Sequence, residues 1–470
     1  MSQAGERPGT AARPLRVAIV GAGPTGYYAA DHLLKQEGLV VEVDMLDRLP
    51  TPYGLVRAGV APDHQKIKSV TAAFDKVAAH PGFRFYGSVE LGKDVSVEDL
   101  RSYYHQIFYA TGAQTDRRMG IPGEDLRGSH PATDFVAWYN GHPDYREHRF
   151  DLSQERVAVV GVGNVAVDVV RILCRTPEEL AATDISDDAL AALRESRVRE
   201  VYLLGRRGPA QAAFTNPEIR ELGDLPGADV TDRAEEVELD PLSRAEIEKS
   251  GDRGTAKKVE ILREYARRSP SGKPRTLTIR FLVSPVALHG DESGGVAGLR
   301  LVHNELSATA AGTLQARATD QFEDLRVGLV FRSVGYRGVP IPGIPFHDAW
   351  GVILNDKGRV LEPESREPRI GEYAAGWIKR GPSGVIGTNK PDAAETVACM
   401  VEDAERGRLL APAEPAADAV LALVRQRQPQ WISWADWQRL DALEVERGRA
   451  TGRPRVKFTR VEDMLVALGR

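Results

Sequence analysis

Cysteine is almost absent from this sequence. Only Cys174 and Cys399 occur among its 470 residues, and neither belongs to a C-x-x-C pair. Two isolated thiols exclude an iron–sulfur cluster held by this chain's own cysteines, and they also exclude a dithiol active site. Because chains with few cysteines are typical of reducing compartments, we expect the protein to be cytoplasmic.

Long apolar runs and a strong excess of one charge are also lacking. No run of about 18 apolar residues occurs, so we expect no membrane span. The first residues, MSQAGERPGTAARP, contain no apolar core of the kind that a secretory signal needs. The formal net charge of −5 is no signature of nucleic-acid binding. Glycine, in contrast, is abundant at 45 residues, which is typical of many tight turns between strands and helices.

Some of these glycines form a dinucleotide-binding pattern near the N-terminus. The apolar strand RVAIV, residues 16–20, runs directly into GAGPTG, residues 21–26. A helical stretch follows, and the next strand, LVVEVDML at residues 39–46, ends on Asp47. In such a βαβ unit the glycines admit a pyrophosphate to the helix N-terminus. The carboxylate accepts hydrogen bonds from a ribose, so the unit predicts an adenosine without a 2′-phosphate.

The same order of parts returns in the middle of the chain. RVAVV at residues 156–160 leads into GVGNVA at residues 161–166, and a helix follows. After a polar insertion, the strand EVYLLG, residues 200–205, ends in Arg206 and Arg207. A guanidinium attracts a 2′-phosphate, which a carboxylate would repel. The two units together predict FAD in the first and NADP(H) in the second, although paired arginines are also common in solvated turns.

Three further stretches indicate how the two units are joined. Residues 104–114 and 324–338 are apolar strands that end in glycine, as expected where a chain passes between domains, and residues 371–397 add a strand, a glycine loop and a helix. We therefore predict an α/β fold with two Rossmann-like (three-layer ββα type) dinucleotide-binding domains, the NADP domain inserted in the FAD domain. The predicted segments are 1–115 (FAD domain, first segment), 116–331 (NADP domain) and 332–470 (FAD domain, second segment with a C-terminal helical extension).

Taken together, the motifs resemble those of a known family, the adrenodoxin reductase-type ferredoxin–NADP reductases, especially its actinobacterial members. The likeness lies in VAIVGAGPTGYYAA, DRLPTPYGLVRAGVAPDHQKIK, VVGVGNVAVDVVRIL, GRRGPAQAAFT and GWIKRGPSGVIGTNK. It implies a glutathione reductase-like flavoprotein with noncovalent FAD and NADP(H). The implied reaction is hydride transfer from NADPH to FAD N5, followed by single-electron transfers to a ferredoxin, a similar small iron–sulfur protein, or a flavodoxin.

The resemblance also implies roles for individual residues. It assigns to FAD the residues Gly21, Ala22, Gly23, Gly26, Asp47, Leu55, Leu91, Trp377, Gly384, Val385 and Ile386. It assigns to NADP(H) the residues Arg117, Val162, Gly163, Asn164, Val165, Arg206, Arg207 and Glu218. The family commonly has glutamate where this chain has Asp47, and the shorter side chain reduces the reach towards the ribose.

His64 and Glu221 are the predicted catalytic pair. The resemblance implies that they lie beside the flavin, where they tune proton exchange or dock the nicotinamide rather than act as nucleophiles. Without the resemblance, His64 is better explained as a structural histidine in the turn VAPDHQK, and Glu221 as a solvated helix residue. With the resemblance, the structural and the functional interpretations of His64 are evenly matched. We expect no bound metal at either site.

The surface for the protein partner is predicted from charge. Residues 256–275 have apolar positions at helical spacing, and cations crowd the remaining faces: Lys257, Lys258, Arg263, Arg267 and Arg268. An acidic ferredoxin suits such a surface, although a solvated helix face explains the same pattern.

Three other classes of protein stay open from the sequence. They are a flavin monooxygenase, a pyridine-nucleotide oxidoreductase subunit of the glutamate synthase type, and a nucleotide-binding module without enzymatic activity. The isolated cysteines disfavour the second of these classes.

Overall fold

The computed structural model describes residues 7–470. Residues 1–6, which belong to the predicted first segment and to the stretch considered as a signal sequence, lie outside the described residues. The strands are β1 (Leu15–Val20), β2 (Val41–Asp47), β3 (Phe83–Gly87), β4 (Gln106–Tyr109), β5 (Thr115–Asp116), β6 (Ser129–Pro131), β7 (Arg156–Val160), β8 (Glu200–Leu204), β9 (Ala228–Asp232), β10 (Arg275–Arg280), β11 (Val283–Gly290), β12 (Val296–Ala308), β13 (Leu314–Leu325), β14 (Leu329–Arg332), β15 (Tyr336–Arg337), β16 (Phe346–His347), β17 (Val352–Ile353), β18 (Asn355–Asp356), β19 (Arg359–Leu361) and β20 (Pro368–Ala374).

The helices are α1 (Pro24–Leu34), α2 (Leu55–Ala58), α3 (Gln65–Lys68), α4 (Thr71–Ala78), α5 (Val97–Tyr103), α6 (Ala132–Tyr139), α7 (Asn164–Cys174), α8 (Pro177–Ala181), α9 (Asp187–Arg194), α10 (Asn216–Leu222), α11 (Ala234–Val237), α12 (Pro241–Ser250), α13 (Arg253–Arg267), α14 (Trp377–Arg380), α15 (Asn389–Glu405), α16 (Ala417–Arg427), α17 (Trp434–Ala450) and α18 (Val461–Ala467). Short 3-10 helices lie at Pro143–Tyr145, Pro209–Gln211 and Ile386–Thr388. Among the helices of residues 7–470, none combines the length and the apolar composition needed to cross a membrane.

The first sheet combines strands from both ends of the chain. Its order is β18-β19-β20-β4-β1-β2-β3, with β1 parallel to both β2 and β4. All six residues of β1 are buried, which is typical of a central strand in a sheet covered on both faces. Strands β18 to β20 join this sheet after the second sheet has been completed, so the predicted insertion agrees with the order of the strands.

The second sheet is built from the middle of the chain. Its order is β6-β14-β7-β8-β10-β9, and every neighbouring pair is parallel. A three-stranded antiparallel sheet, β11-β12-β13, packs on it through apolar side chains that include Leu299 and Leu301, next to Ala158 and Val330. The fold is therefore α/β with two Rossmann-like sheets, as predicted.

A short ribbon carries the chain between the two sheets. Strand β5 leads from the first sheet to the second, β15 leads back, and the two pair with each other in antiparallel register. Thr115 opposes Arg337, and Asp116 opposes Tyr336. The domain boundaries near residues 115 and 331 stay predictions, which this ribbon supports.

A buried ion network joins the C-terminal segment to the turn between α8 and α9. Asp184, in that turn, lies 3.2 Å from Lys457 Nζ through Oδ2 and 2.7 Å from Lys68 Nζ through Oδ1. The Lys457 side chain is only 1% exposed. Burial lowers the pKa of both lysines, and the carboxylate of Asp184 opposes that effect. Arg453, also in the C-terminal segment, donates to the carbonyl of Thr183 in the same turn at 2.9 Å.

Candidate active site

Two glycine loops lie at the carboxyl ends of β1 and β7. Gly21 and Gly161 directly follow these strands, with φ values of +108° and +128°. A Cβ at Gly21 would lie 2.5 Å from Ala110 O, and one at Gly161 would lie 2.1 Å from Ser333 O. Because both the backbone angle and the close approach disfavour any side chain, each position requires glycine.

Room for a phosphate group lies at the helix start in each loop. Gly23 and Gly163 are the N-caps of α1 and α7, and neither cap uses a side chain to bind the helix N–H groups. A Cβ at either glycine would meet no described atom within 4 Å. A Cβ at Gly26 would instead lie 2.2 Å from Gly21 O, so this glycine allows close packing of α1. Open helix N-termini with free space in front of them fit two dinucleotide pyrophosphates.

The second loop is tied to the segment that follows β8. Val162 O accepts the backbone N–H groups of residues 213–214 at 2.9 and 3.0 Å. Asn164 Oδ1 accepts the Thr215 N–H at 2.9 Å, and Val165 packs against the core of the second sheet. The predicted pyrophosphate loop is therefore held in one fixed conformation.

Asp47 ends β2 beside the first loop. Its Oδ2 accepts the Ala22 N–H at 2.7 Å, and its Oδ1 accepts the Leu49 N–H at 2.9 Å. Burial raises the pKa of Asp47, and the two N–H groups oppose that rise. Each carboxylate oxygen keeps a second lone pair, so the residue is able to bind a ribose hydroxyl while the loop fixes its orientation.

Arg206 and Arg207 follow β8 at the same edge of the second sheet. Their backbone carbonyls are held by Asn304 Nδ2 at 3.0 Å and by the Leu282 N–H at 3.2 Å. Their guanidinium groups, however, make no hydrogen bond or ion pair with any residue between 7 and 470. Arg206 is exposed and Arg207 is half-buried. Two cations on a fixed backbone, with all their donors free, form a site ready for a phosphate.

Apolar side chains lie open to solvent near the first loop. Leu55 is 42% exposed and Val385 is 52% exposed. The Trp377 ring stacks on Tyr336 with a centroid distance of 5.4 Å. A Cβ at the preceding Gly376 would lie 2.4 Å from Thr25 Oγ1, so the segment of Trp377 adjoins the start of α1. Exposed apolar groups beside a dinucleotide loop fit the ring system of a flavin.

Three other predicted FAD residues have mainly structural surroundings. Gly384 has a φ of +79° and forms the turn before Val385. Ile386 is half-buried and packs against the core of the first sheet. Leu91 lies in the loop after β3, where it pairs with Val95 and packs against apolar side chains of the same sheet.

Arg117 lies on the ribbon between the sheets. Its N–H donates to Gly335 O at 2.8 Å, and its Nη2 donates to Trp350 O at 3.3 Å. Gly335 stands two residues after Ser333, whose carbonyl touches Gly161 of the second loop. The Arg117 side chain is exposed, and its role towards the NADP pyrophosphate stays a prediction.

His64 and Glu221 meet between the two sheets. His64 Nε2 lies 2.8 Å from Glu221 Oε2, although 157 positions separate the residues in sequence. Glu218, one turn earlier on α10, has an oxygen 3.9 Å from the same nitrogen. Burial raises the pKa of Glu218, and neighbouring Asp168 adds to the rise. The predicted pair is thus in contact, while its part in the reaction stays a prediction.

Asp63, Asp168 and Arg171 belong to the same cluster, although the sequence motifs did not predict them. Arg171 is fully buried and lies 2.7 Å from both Asp63 Oδ2 and Asp168 Oδ1. The sequence did contain a signal for this cluster, because Asp168 and Arg171 interrupt the otherwise apolar helix VAVDVVRILC one turn apart. Charged residues on a buried helix need partners, and such a pair predicts a buried polar cluster. Ligand-type atoms of His64, Asp168 and Glu218 lie within 4.8 Å of one another, but the Arg171 guanidinium already contacts both carboxylates, and we assign no metal there.

Paired dinucleotide loops at the carboxyl ends of parallel strands in two sheets define the class of two-dinucleotide oxidoreductases. Residues 15–208 match the family model described as pyridine nucleotide-disulphide oxidoreductase. The chain is 46% identical over 466 residues to NADPH-ferredoxin reductase FprA of Mycobacterium tuberculosis, covering 97% of this chain and 100% of that protein. It is 41% identical to the mitochondrial NADPH:adrenodoxin oxidoreductase of Arabidopsis thaliana, covering 97% of this chain and 95% of the relative.

A solved structure agrees with these relatives. The structure of Mycobacterium tuberculosis FprA in complex with NADPH superposes with a TM-score of 0.92 at 45% identity, covering 97% of this chain and 100% of that one. The chain therefore belongs to the FprA and adrenodoxin reductase family of ferredoxin–NADP reductases, as its motifs predicted.

Proposed function

We propose that this protein is an NADPH-dependent ferredoxin–NADP(+) reductase that binds noncovalent FAD at the first loop and NADP(H) at the second. The observation that carries the proposal is the opposite charge at equivalent positions of the two units. Asp47 ends β2 beside Gly21–Gly26, whereas Arg206 and Arg207 follow β8 beside Gly161–Ala166, and their guanidinium groups bind no residue between 7 and 470. A carboxylate selects a ribose with free hydroxyls, and guanidinium groups select a ribose with a 2′-phosphate.

The protein's own contribution is binding and orientation. Bound FAD supplies the redox chemistry, which is uptake of a hydride from NADPH at N5 and release of single electrons to an iron–sulfur protein. The N-termini of α1 and α7 hold the two pyrophosphates, and Asp47 holds the FAD ribose. The exposed side chains of Leu55 and Val385 would cover the apolar ring and exclude water from it. His64 Nε2 and Glu221 Oε2, 2.8 Å apart, would tune proton exchange at the flavin or dock the nicotinamide.

Anaerobic stopped-flow of the purified holoenzyme tests this function. We expect NADPH to bleach the flavin absorbance with a kcat/KM at least about 100-fold above that of NADH, because two guanidinium–phosphate contacts are absent with NADH. Added ferredoxin should then support NADPH-dependent reduction of cytochrome c. Equal rates with the two coenzymes would contradict the assignment of the second loop, and oxygen uptake coupled to an organic substrate would indicate a monooxygenase instead.

The compartment follows from the thiols. Both Cys174 and Cys399 are unpaired and buried. Such thiols suit a reducing environment, so we place the enzyme in the cytoplasm.

The proposed docking surface for an acidic ferredoxin or flavodoxin is helix α13. Its cations are partly balanced by their own neighbours: Lys257 with Glu260 at 2.9 Å, Arg263 with Glu238 at 2.9 Å, Arg268 with Glu264 at 2.8 Å, and Lys258 with the carbonyl of Ala212. Arg267 makes no such contact with any residue between 7 and 470. The net field of this surface is therefore weaker than its count of cations indicates, and Arg267 at the helix end carries most of the proposal.

Charge reversal at this helix end tests the docking surface. Arg267→Glu with Arg268→Glu should raise the apparent KM for ferredoxin about 5- to 10-fold at low salt, with the difference fading at high ionic strength. NADPH–ferricyanide activity should not change. Arg425→Glu with Arg427→Glu, the same reversal on exposed residues of α16, is the matched control. If both double variants affect the ferredoxin KM equally, α13 is not the docking surface.

A further inference from the structure

Hydrogen bonds hold the segment of residues 206–223 from two sides. This segment contains the two arginines of the predicted 2′-phosphate site and helix α10. The loop after β7 binds it from one side through Val162 O and Asn164 Oδ1. Side-chain contacts with α12, α13 and the residue that ends α13 hold the other side: Gln211 Nε2 to Ser243 Oγ at 2.9 Å, Asn216 Nδ2 to Gly254 O at 2.9 Å, Tyr265 Oη to Ile219 O at 2.8 Å, Arg268 Nη1 to Gly223 O at 2.9 Å, and Lys258 Nζ to Ala212 O.

One peptide group of this segment connects α13 to the predicted pyrophosphate loop. Its carbonyl, Ala212 O, accepts Lys258 Nζ, and its N–H, on Ala213, donates to Val162 O at 2.9 Å. Because the C=O and N–H of a trans peptide point in opposite directions, the bond at Val162 O directs the N–H of Gly163 away from it. Gly163 is the N-cap of α7, and its N–H binds no acceptor among residues 7–470. Lys258 is thus connected, through two peptide groups, to a donor that stays free for a phosphate.

The Lys258 ammonium has no acidic partner of its own. No carboxylate among residues 7–470 lies within ion-pair distance of it, and the side chain is half-buried. Burial lowers the pKa of Lys258, and Asp252 opposes that effect. The Asp252 carboxylate is engaged as the N-cap of α13. The ammonium also lies 5.7 Å from the centroid of the Phe214 ring. A half-buried cation without a counter-charge is unfavourable for folding, but it adds positive potential beside a loop that binds an anion.

We infer that Lys258 is a positioning residue of the coenzyme site, which orients the pyrophosphate loop through the Ala212–Ala213 peptide group, and that it is not a contact of the docking surface. A cation on the carbonyl polarises the peptide and makes its N–H a better donor to Val162 O. NADPH and NADH both have a pyrophosphate, so Lys258 serves both coenzymes, unlike Arg206 and Arg207. The inference rests on the proposed function, because this loop is the one proposed to bind NADP(H).

The chain offers a matched control for the loss of a lysine–carbonyl bond. Lys258→Met removes the ammonium and keeps most of the apolar stem. Lys273 is also half-buried and donates to a backbone carbonyl, Leu225 O at 2.7 Å. It lies just before β10, at the amino ends of the parallel strands, whereas the coenzyme loops lie at the carboxyl ends. Lys273→Met therefore removes the same kind of contact at the opposite edge of the sheet.

Hydrogen exchange of the holoenzyme without NADP(H) tests the contact itself. The N–H groups of Ala213 and Phe214, both bound to Val162 O, should exchange about 10-fold faster in Lys258→Met than in the wild type. Their exchange in Lys273→Met should match the wild type. Unchanged exchange in Lys258→Met overturns the inference, whatever coenzyme the protein binds. Equal acceleration in the two variants overturns it as well.

Coenzyme binding and kinetics test the consequence. The Kd for NADP+, from the change in flavin absorbance on titration, should rise about 10-fold in Lys258→Met. The value of kcat/KM should fall by a similar factor with NADPH and with NADH, while kcat with NADPH and the KM for ferredoxin stay within about 2-fold. Lys258→Arg keeps the charge and the donors and should stay within about 3-fold of the wild type.

The results that contradict the inference differ from those that contradict the function. A raised ferredoxin KM with an unchanged Kd for NADP+ in Lys258→Met overturns the inference and assigns Lys258 to the docking surface. A loss confined to NADPH overturns it too, because it assigns Lys258 to the 2′-phosphate. In both cases the NADPH preference of the wild type still supports the proposed function. A wild type that binds neither coenzyme overturns the function itself, and hydrogen exchange still tests the Lys258 contact.

Discussion

Replacing Asp184 by alanine lowers the free energy of unfolding by about 3–5 kcal/mol, the amount typical of removing one partner from a buried ion pair. The carboxylate is the only anion recorded within ion-pair distance of both Lys68 and Lys457 in the described chain. Without it, the two ammonium groups keep only neutral oxygens, such as Asn140 Oδ1 at 3.5 and 3.4 Å. Two buried cations close to each other, without a counter-charge, are the physical cause of the loss.

Urea denaturation of the holoenzyme measures this loss against a matched control. Glu305 on β12 pairs with Arg317 on β13, and the side chains are 50% and 70% exposed, so Glu305→Ala should cost about 1 kcal/mol or less. The loss in Asp184→Ala should also shrink as the pH rises. A lysine with a lowered folded-state pKa costs its full amount below that pKa, and the cost vanishes above the unfolded-state pKa. Equal losses in the two variants would show that the buried network contributes no more than a surface pair.

The double variant Arg206→Ala, Arg207→Ala should lose about 100- to 10,000-fold in kcat/KM for NADPH. Each charge-assisted hydrogen bond to a phosphate contributes about 1.5–3 kcal/mol, and a factor of ten corresponds to about 1.4 kcal/mol. The expected change with NADH is within a few-fold, because NADH has no 2′-phosphate. The side chains are free of other partners in the described chain, so their removal should leave the free energy of unfolding unchanged.

Steady-state kinetics with both coenzymes measures this selectivity. The single variants Arg206→Ala and Arg207→Ala divide the effect between the exposed and the half-buried arginine. Arg199→Ala removes an exposed arginine just before β8, roughly 20 Å from the pair, and should leave both coenzymes unaffected. A parallel loss with NADPH and NADH in the double variant would assign the arginines to the pyrophosphate rather than to the 2′-phosphate.

The sequence predicted the parts of the site that depend on local geometry. A strand, a glycine turn, a helix and the end of the next strand follow one another within each βαβ unit. Gly21 and Asp47 in the first unit, and Gly161 and Arg206 in the second, can therefore be predicted from their order. The pair His64–Glu221 came from the resemblance, because the two residues are distant in the chain and have no local pattern. Arg171 was missed for the same reason, since its contact with Asp63 crosses 108 positions.

The docking helix shows a different limit of prediction. The cations of α13 are visible in the sequence, but Glu238, which balances Arg263, lies 25 positions away on another segment. Asp184 and Lys68 are likewise brought together across 116 positions by the packing of the two sheets. The net charge of a surface depends on residues that other segments bring next to it. The residue pattern of one helix therefore does not predict that charge.

The pairing of β5 with β15 has a consequence for how this architecture can be rearranged. The chain leaves the first sheet and returns to it through two adjacent strands, so the covalent connections to the second sheet lie side by side. A replacement module whose ends lie one strand spacing apart, about 4.8 Å, could be grafted at these two strands without changing the strand order of the first sheet. Such a graft would remove the predicted coenzyme-selecting residues Arg206 and Arg207 together, and it would have to replace the ion pairs of Asp63 with Arg171 and of Lys68 with Asp184.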